Sequence, residues 1–417
     1  ARGYPELPLF VALIFLTSYT LAARQQPFSL RKRALLYGIW GLLVGMALWL
    51  DLLVAPYVLI SGILVLVFCW REVRKWAIWW LLLGLIIGGA PMIYYNITAA
   101  PGQNSLYTFF DLLGSDPYPS PIFHLIASTF YSLPLTLGYS SSCISPQWAT
   151  TGLFSGPNSL SCIISTGTWG VGYLLLATLA FLLSLRAFRK LRPIDKSDAQ
   201  QQQVVLEFAR LMLIGGFALS FISYVKGNGV STDPLNGWRY LMCTWVSVPA
   251  ILWPLWNCEQ WFQRLWLRWG AVALKLSVLF LLGLSLFTTT ATIFQSSVPA
   301  AQASNQHFAI LEQALEQMQI TRFYSTYWIC NPAMIDTHEQ LACGDTSTTL
   351  EHGFDRYSAY LALVEANPHP GFVYLDGSVQ ITTLNGYLAQ YHLKYDRFEI
   401  AGYTVYRMYG HIPSLDL

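Results

Sequence analysis

Through the first 294 positions apolar residues come in long runs rather than in alternation, separated by short polar or charged gaps. A helix needs roughly 20 apolar residues to cross the hydrocarbon core of a bilayer. Eight runs approach that length: Pro5–Ala23, Ala34–Leu50, Leu52–Trp70, Trp76–Tyr95, Thr168–Phe188, Val204–Val225, Trp238–Trp256 and Ala271–Phe294. A ninth stretch, Phe123–Leu137, is interrupted by His124, Ser128, Ser132 and Pro134, and reads as interfacial or re-entrant. From about Gln295 the pattern changes. Phe308, Leu311, Leu315 and Met318 recur at helical spacing within His307–Gln319. Gly371–Leu375 reads as a short buried strand, Val379–Tyr391 as a helix, and Arg397–Ala401 and Tyr403–Met408 as strands. The expectation is a polytopic α-helical membrane protein with about eight spans in residues 1–294. A long outer loop falls at 96–167, and a small extracytoplasmic α/β domain follows at 295–417.

Composition narrows the class. The chain is 54% hydrophobic and only 11% charged, against about 25% charged in soluble domains. That deficit excludes a soluble enzyme and a nucleic-acid binder. The opening Ala1-Arg2-Gly3-Tyr4-Pro5 carries neither an initiator methionine nor a signal-peptide n-region with a cleavage site, so the chain reads as the interior of a longer protein.

Basic residues set the sidedness. Arg24, Arg31, Lys32 and Arg33 lie between the first two runs, and Arg71, Arg74 and Lys75 follow the third. Arg186, Arg189, Lys190, Arg192 and Lys196 follow the fifth, and Arg264 and Arg268 precede the last. These gaps alternate with gaps lacking a basic excess, as cytoplasmic loops should. The predicted topology is multi-pass in the plasma (inner) membrane, with 96–167, 226–237 and the C-terminal domain outside the cytoplasm. Cysteines fit that side: Cys143 with Cys162, and Cys330 with Cys343, are predicted disulfides of an oxidising compartment. A metal reading of the four is weaker, because neither pair has C-x-x-C spacing.

No P-loop, G-x-G-x-x-G, G-x-S-x-G or H-E-x-x-H is present. Candidate chemistry gathers at the outer ends of the runs. Asp51 interrupts an apolar hairpin and is either a solvated turn residue or a cavity acid. Glu6 opens the first run, where the helix dipole favours an acid or where a carboxylate could face a ligand. Asn96 closes the Tyr94-Tyr95-Asn96 cluster and begins a formal glycosylation sequon with Ile97 and Thr98. Asp233 precedes Arg239-Tyr240, where arginine suits bidentate phosphate contact but snorkelling is the bland alternative. Glu207 and Arg210, three residues apart, could simply neutralise each other.

Several of these residues carry a resemblance. They are Arg2-Gly3-Tyr4-Pro5-Glu6, the hairpin from Gly38 through Trp40, Gly41, Gly45 and Trp49 to Asp51 and Pro56, and Gly88-Gly89-Ala90-Pro91 leading to Tyr94-Tyr95-Asn96. Arg239-Tyr240-Leu241, Tyr327-Trp328 and Arg356-Tyr357 complete the set. In this order the chain resembles bacterial membrane glycosyltransferases of the GT-C superfamily, family 39-like, related to protein O-mannosyltransferases and aminoarabinose lipid A transferases. The resemblance implies an inverting enzyme that takes a sugar from a polyprenyl-phosphate donor and passes it to a lipid, glycan or protein acceptor at the outer face. It implies a carboxylate base upstream of Ala1, a donor-phosphate contact at Arg239, and cavity positions for Glu6 and Asp51. No cofactor or divalent metal is indicated beyond the lipid-phosphate-sugar substrate. The competing readings are a transporter or flippase of lipid-linked sugars, which would show inverted repeats and broken helices, and a noncatalytic envelope assembly protein.

Overall fold

The computed structural model describes residues 6–23, 29–98, 104–105, 121–139, 159–191, 198–227, 237–257, 265–353 and 358–409. Internal contacts divide the chain into two units, Ala1–Thr290 and Ala291–Leu417.

The first unit is helical. Its elements are α1 (Glu6–Ala23), α2 (Leu30–Leu50), α3 (Ala55–Glu72), α4 (Ile78–Gly88), α5 (Ala90–Thr98), α6 (Pro121–Ala127), α7 (Leu133–Thr136), α8 (Ser159–Leu191), α9 (Asp198–Lys226), α10 (Val248–Asn257) and α11 (Leu265–Thr292). Among the described residues, six helical runs are long and apolar enough to cross a membrane: Glu6–Ala23, Leu30–Leu50, Leu52–Gly88, Ile164–Leu191, Gln200–Lys226 and Trp269–Gln317. This is a multi-pass membrane protein by length and composition. The count differs from eight for two reasons. Residues Arg71–Lys75 stay helical, with Val73–Ala77 in π geometry, so two expected runs fall within Leu52–Gly88. The run at Trp238–Trp256 is split into a 3₁₀ helix, Trp238–Ser247, and α10. Pro249 lacks the amide hydrogen that would continue an α-helical ladder to Trp245.

Glycines set the closest helix pairing. Gly41 and Gly45 on α2, and Gly84 and Gly88 on α4, form two small-x-x-x-small pairs that let backbones approach. A Cβ at Gly84 would stand 2.1 Å from the Gly38 carbonyl oxygen, and one at Gly88 2.2 Å from that of Leu42. Glu72 meets Arg33 near the start of α2, and from there α4 climbs α2 in the same direction. The π-helical stretch is where the chain redirects, a common role for such insertions.

The Phe123–Leu137 stretch packs among the other helices on one side. It forms α6, a π-helical Ser128–Ser132 and α7. Ser128, Ser132, Leu133 and Thr136 are fully buried. Its polar groups are the reason it packs inside: His124 Nδ1 lies 3.0 Å from the Val225 carbonyl oxygen, and the Ser132 and Tyr224 hydroxyls are 2.9 Å apart. Gly170 of α8 lies against the Thr129 carbonyl with no room for a Cβ.

The second unit contains α12 (Val298–Gln317), β1 (Arg322–Ser325), α13 (Tyr327–Asp336), β2 (Ala342–Asp345), α14 (Ser358–Glu365), β3 (Gly371–Leu375), α15 (Val379–Gln390), β4 (Tyr395–Ile400) and β5 (Tyr403–Met408). The sheet order is β2-β1-β3-β5-β4. The first three strands are parallel, while β5 runs antiparallel to both β3 and β4. Side chains alternate between two faces, as pleating requires. Phe323, Val373 and Val405 join Leu311 and Leu315 of α12 and Ile329 and Ala333 of α13. Tyr324, Phe372, Tyr374 and Tyr406 join Val364 of α14 and Leu384 and Leu388 of α15 on the other. The result is a three-layer α/β/α unit, with helices on both faces because both are apolar.

Candidate functional site

Residues Trp238–Ser247 form a ten-residue 3₁₀ helix, whereas runs beyond three or four residues are uncommon because the hydrogen-bond geometry is poor. Side-chain bonds from its neighbours hold it. Thr136 Oγ1 donates to the Trp238 carbonyl at 3.2 Å, and Trp245 Nε1 donates to the Thr136 carbonyl at 2.6 Å. Ser247 Oγ donates to the Leu213 carbonyl at 2.6 Å and lies 2.7 Å from the Tyr57 hydroxyl. Thus α3, α7 and α9 each fasten one side of it, and α1 packs along it as well.

The first turn presents Arg239 and Tyr240, both half-buried. The guanidinium carbon stands 5.2 Å from the Tyr240 ring centroid, and Nη2 donates to the Tyr240 hydroxyl at 3.4 Å. Stacking of this kind orients a planar cation. Asp51 ends α2 in an extended conformation and caps the short 3₁₀ turn Leu52–Val54, its Oδ1 accepting from the Leu53 amide at 3.0 Å. That turn packs against Trp238–Ser247. The turn that Asp51 caps and the helix that carries Arg239 are therefore adjoining elements.

The other expected positions are more scattered. Glu6 is the exposed first residue of α1, where its charge complements the helix dipole. Asn96 is engaged structurally: Nδ2 donates to the Met92 carbonyl at 2.8 Å and Oδ1 accepts from the Ser105 amide at 2.8 Å. Thr98 of the sequon donates to the Tyr94 carbonyl at 2.9 Å. Asp233 and Cys143 lie outside the described residues, as do Arg2–Pro5 and Arg356-Tyr357; Cys162 sits in α8, with its side chain outside them. Cys330 and Cys343 are disulfide-bonded, tying α13 to β2.

Two further polar groups stand inside the helical unit. Glu72 pairs with Arg33 at 2.7 Å and accepts from the Tyr37 hydroxyl at 3.1 Å, where α2 and α3 meet. It escapes a reading that counts basic residues for sidedness, since Arg71, Arg74 and Lys75 surround it. Glu207, 4% exposed, pairs with Arg210 at 2.6 Å, and Arg210 also lies 4.2 Å from the Trp253 ring centroid. The i,i+3 spacing shows the first partner, and only packing shows the second. No group of three or more His, Cys, Asp or Glu side chains converges to hold a metal among the described residues. Comparison of the chain with protein-family models, characterised proteins and solved structures returns no match.

Proposed function

We propose that this chain acts as an integral-membrane glycosyltransferase of the GT-C type, family 39-like, moving a sugar from a polyprenyl-phosphate donor to an acceptor at the extracytoplasmic face. The observation that carries the reading is Arg239, stacked on Tyr240 in a long 3₁₀ helix beside the Asp51 turn. A phosphate leaving group gains charge as the glycosidic bond breaks, and a fixed guanidinium in a low-dielectric site stabilises that charge. Arg239 contacts the donor phosphate, and Tyr240 holds its plane. Asp51 and Glu6 line the sugar side of the cavity. A carboxylate base takes the proton from the acceptor hydroxyl during inline displacement. In this reading the protein sits in the plasma membrane with eight passes in residues 1–294, and the unit from Ala291 onward lies outside the cytoplasm.

Reconstitution of the full-length protein with a polyprenyl-phosphate sugar tests the assignment. Arg239→Ala should abolish transfer, and Arg239→Lys should retain only a small fraction, since a point charge cannot make the bidentate contact. Normal transfer by Arg239→Ala would remove Arg239 from the site. The second reading, a transporter of lipid-linked sugars, draws on the buried Glu207–Arg210 pair within α9, because intramembrane ionisable residues often mark translocation pathways. It requires transbilayer movement of the lipid-linked sugar without transfer.

A further inference from the structure

We propose that the last turns of α8 bind an anionic phospholipid of the surrounding bilayer through Arg186, Arg189 and Lys190. Leu182, Leu185, Arg186, Arg189 and Lys190 line one cavity of about 450 Å³. Their spacing is i, i+3, i+4, i+7 and i+8, which places all of them on one side of a helix. α8 runs unbroken through Leu191, so the stripe is formed before any ligand arrives.

That side points away from the protein. Tyr173, Ala177, Ala180 and Ser184 are buried and make up the packed row of α8. One turn on, the Phe188 ring lies 5.5 Å from that of Phe208 on α9. An α-helix turns about 100° per residue, so Leu182, Arg186 and Arg189 fall roughly opposite the packed row. Exposure agrees: Leu182 is 56% exposed, and Arg186, Arg189 and Lys190 are exposed with it. Leu175 and Leu179 continue the same side and are also exposed. Ile164–Leu191 is long and apolar enough to cross a membrane, and an exposed apolar side on such a helix meets lipid.

The order of residues along the stripe selects the occupant. Leu175, Leu179 and Leu182 offer an apolar track for an acyl chain, and the three cations follow at its end. Arg186 and Lys190 are about 6 Å apart along the axis, close enough for all three side chains to converge on one phosphodiester. Arginine meets a phosphate with two parallel N–H donors, and lysine adds a point charge. A free anion would use the cations and leave the leucines idle, whereas a phospholipid uses both. The negative end of the helix dipole also favours Arg189 and Lys190 in the last turn. The dipole does not distinguish one headgroup from another, and a lipid site does. This assignment is independent of the transfer reaction, because it needs no sugar donor.

Native mass spectrometry of the purified full-length protein, with dioleoyl-phosphatidylglycerol or dioleoyl-phosphatidylcholine added to the detergent, tests the site. Wild type should bind phosphatidylglycerol more tightly. The triple variant Arg186→Gln, Arg189→Gln, Lys190→Gln should lose about a hundred-fold of that affinity, since each basic residue beside a lipid surface contributes a factor of about five. Arg71→Gln, Arg74→Gln, Lys75→Gln removes the same charge elsewhere and should leave the preference intact. Should the triple variant not fold, Arg189→Gln alone should weaken binding about five-fold. Equal binding of the two lipids by wild type, an undiminished preference in the α8 variants, or an equal loss in the Arg71 series would each overturn the proposal. Displacement of the lipid by an equal concentration of inorganic phosphate would overturn it too, by showing a soluble-anion site.

Discussion

The hydroxyls of Tyr57 and Ser247 lie 2.7 Å apart, both buried, and join α3 to the end of the 3₁₀ helix that carries Arg239. Ser247 also donates to the Leu213 carbonyl, so one serine pins the helix to α3 and α9 together. Tyr57→Phe keeps the ring and removes one bond, costing about 1 kcal/mol. Thermal unfolding in detergent should show a small drop, and sugar transfer should fall further than stability does, because the Arg239 element loosens. An unchanged midpoint together with unchanged transfer would show that this bond holds nothing in place.

At Gly88 a Cβ would meet the Leu42 carbonyl oxygen at 2.2 Å, and backbone cannot yield as a flexible side chain can. Gly88→Leu should separate α2 from α4 and leave no monodisperse protein on size exclusion. Gly215→Ala is the contrasting change: nothing lies within 4 Å of its added carbon, so relief of glycine's backbone freedom should stabilise α9 by about 0.5–1 kcal/mol.

Cys330 and Cys343 are 2% and 3% exposed, and their bond closes a sequence separation of 13. A loop of that size is worth about 3 kcal/mol through restriction of the unfolded chain. The pair Cys330→Ser and Cys343→Ser should lower the unfolding midpoint of the second unit by several degrees. Mild reductant without denaturant should leave the wild-type bond intact, since thiolate attack requires access; rapid labelling under those conditions would contradict the burial.

Three tyrosines on one face of the sheet, Tyr324, Tyr374 and Tyr406, are buried. Burial pushes the Tyr324 phenol up to about 12, and raises Tyr374 and Tyr406 in the same direction. An unfolded phenol ionises near 10, so the unfolded chain releases protons first. Stability is fully present below about pH 10 and is lost as pH rises toward 12. Circular dichroism with tyrosinate absorbance along an alkaline titration should show ionisation and unfolding together. Tyrosinate formation by all three in a still-folded unit would refute the linkage.

Much of the architecture was legible in the residues. Gly371–Leu375 and Tyr403–Met408 are strands over those bounds, because β-branched and aromatic residues cluster there between turn residues. Arg322–Ser325 and Ala342–Asp345 escaped notice, being four residues long and too short to show a period. The same limit hid the two faces of the sheet, since alternation in a four-residue strand is indistinguishable from chance. At the candidate site, Arg239, Tyr240 and Asp51 were visible as polar residues at the ends of apolar runs. The packing of the Asp51 turn on the helix that carries Arg239 was not, because 188 intervening positions separate Asp51 from Tyr240 in the chain.

By itself the sequence determined the membrane class, because burial of that much apolar surface in helices of bilayer length has no soluble solution. It also determined the change of character after residue 294, where polar and apolar positions begin to interleave. Tertiary structure alone decided which helices touch. Gly41, Gly45, Gly84 and Gly88 permit close approach, but many partners satisfy a small-residue stripe, and only packing selects α2 against α4. It likewise decided that Trp238–Ser247 is a 3₁₀ helix, held by Thr136, Tyr57 and Leu213. Those bonds come from distant parts of the chain, and local propensity carries no record of them.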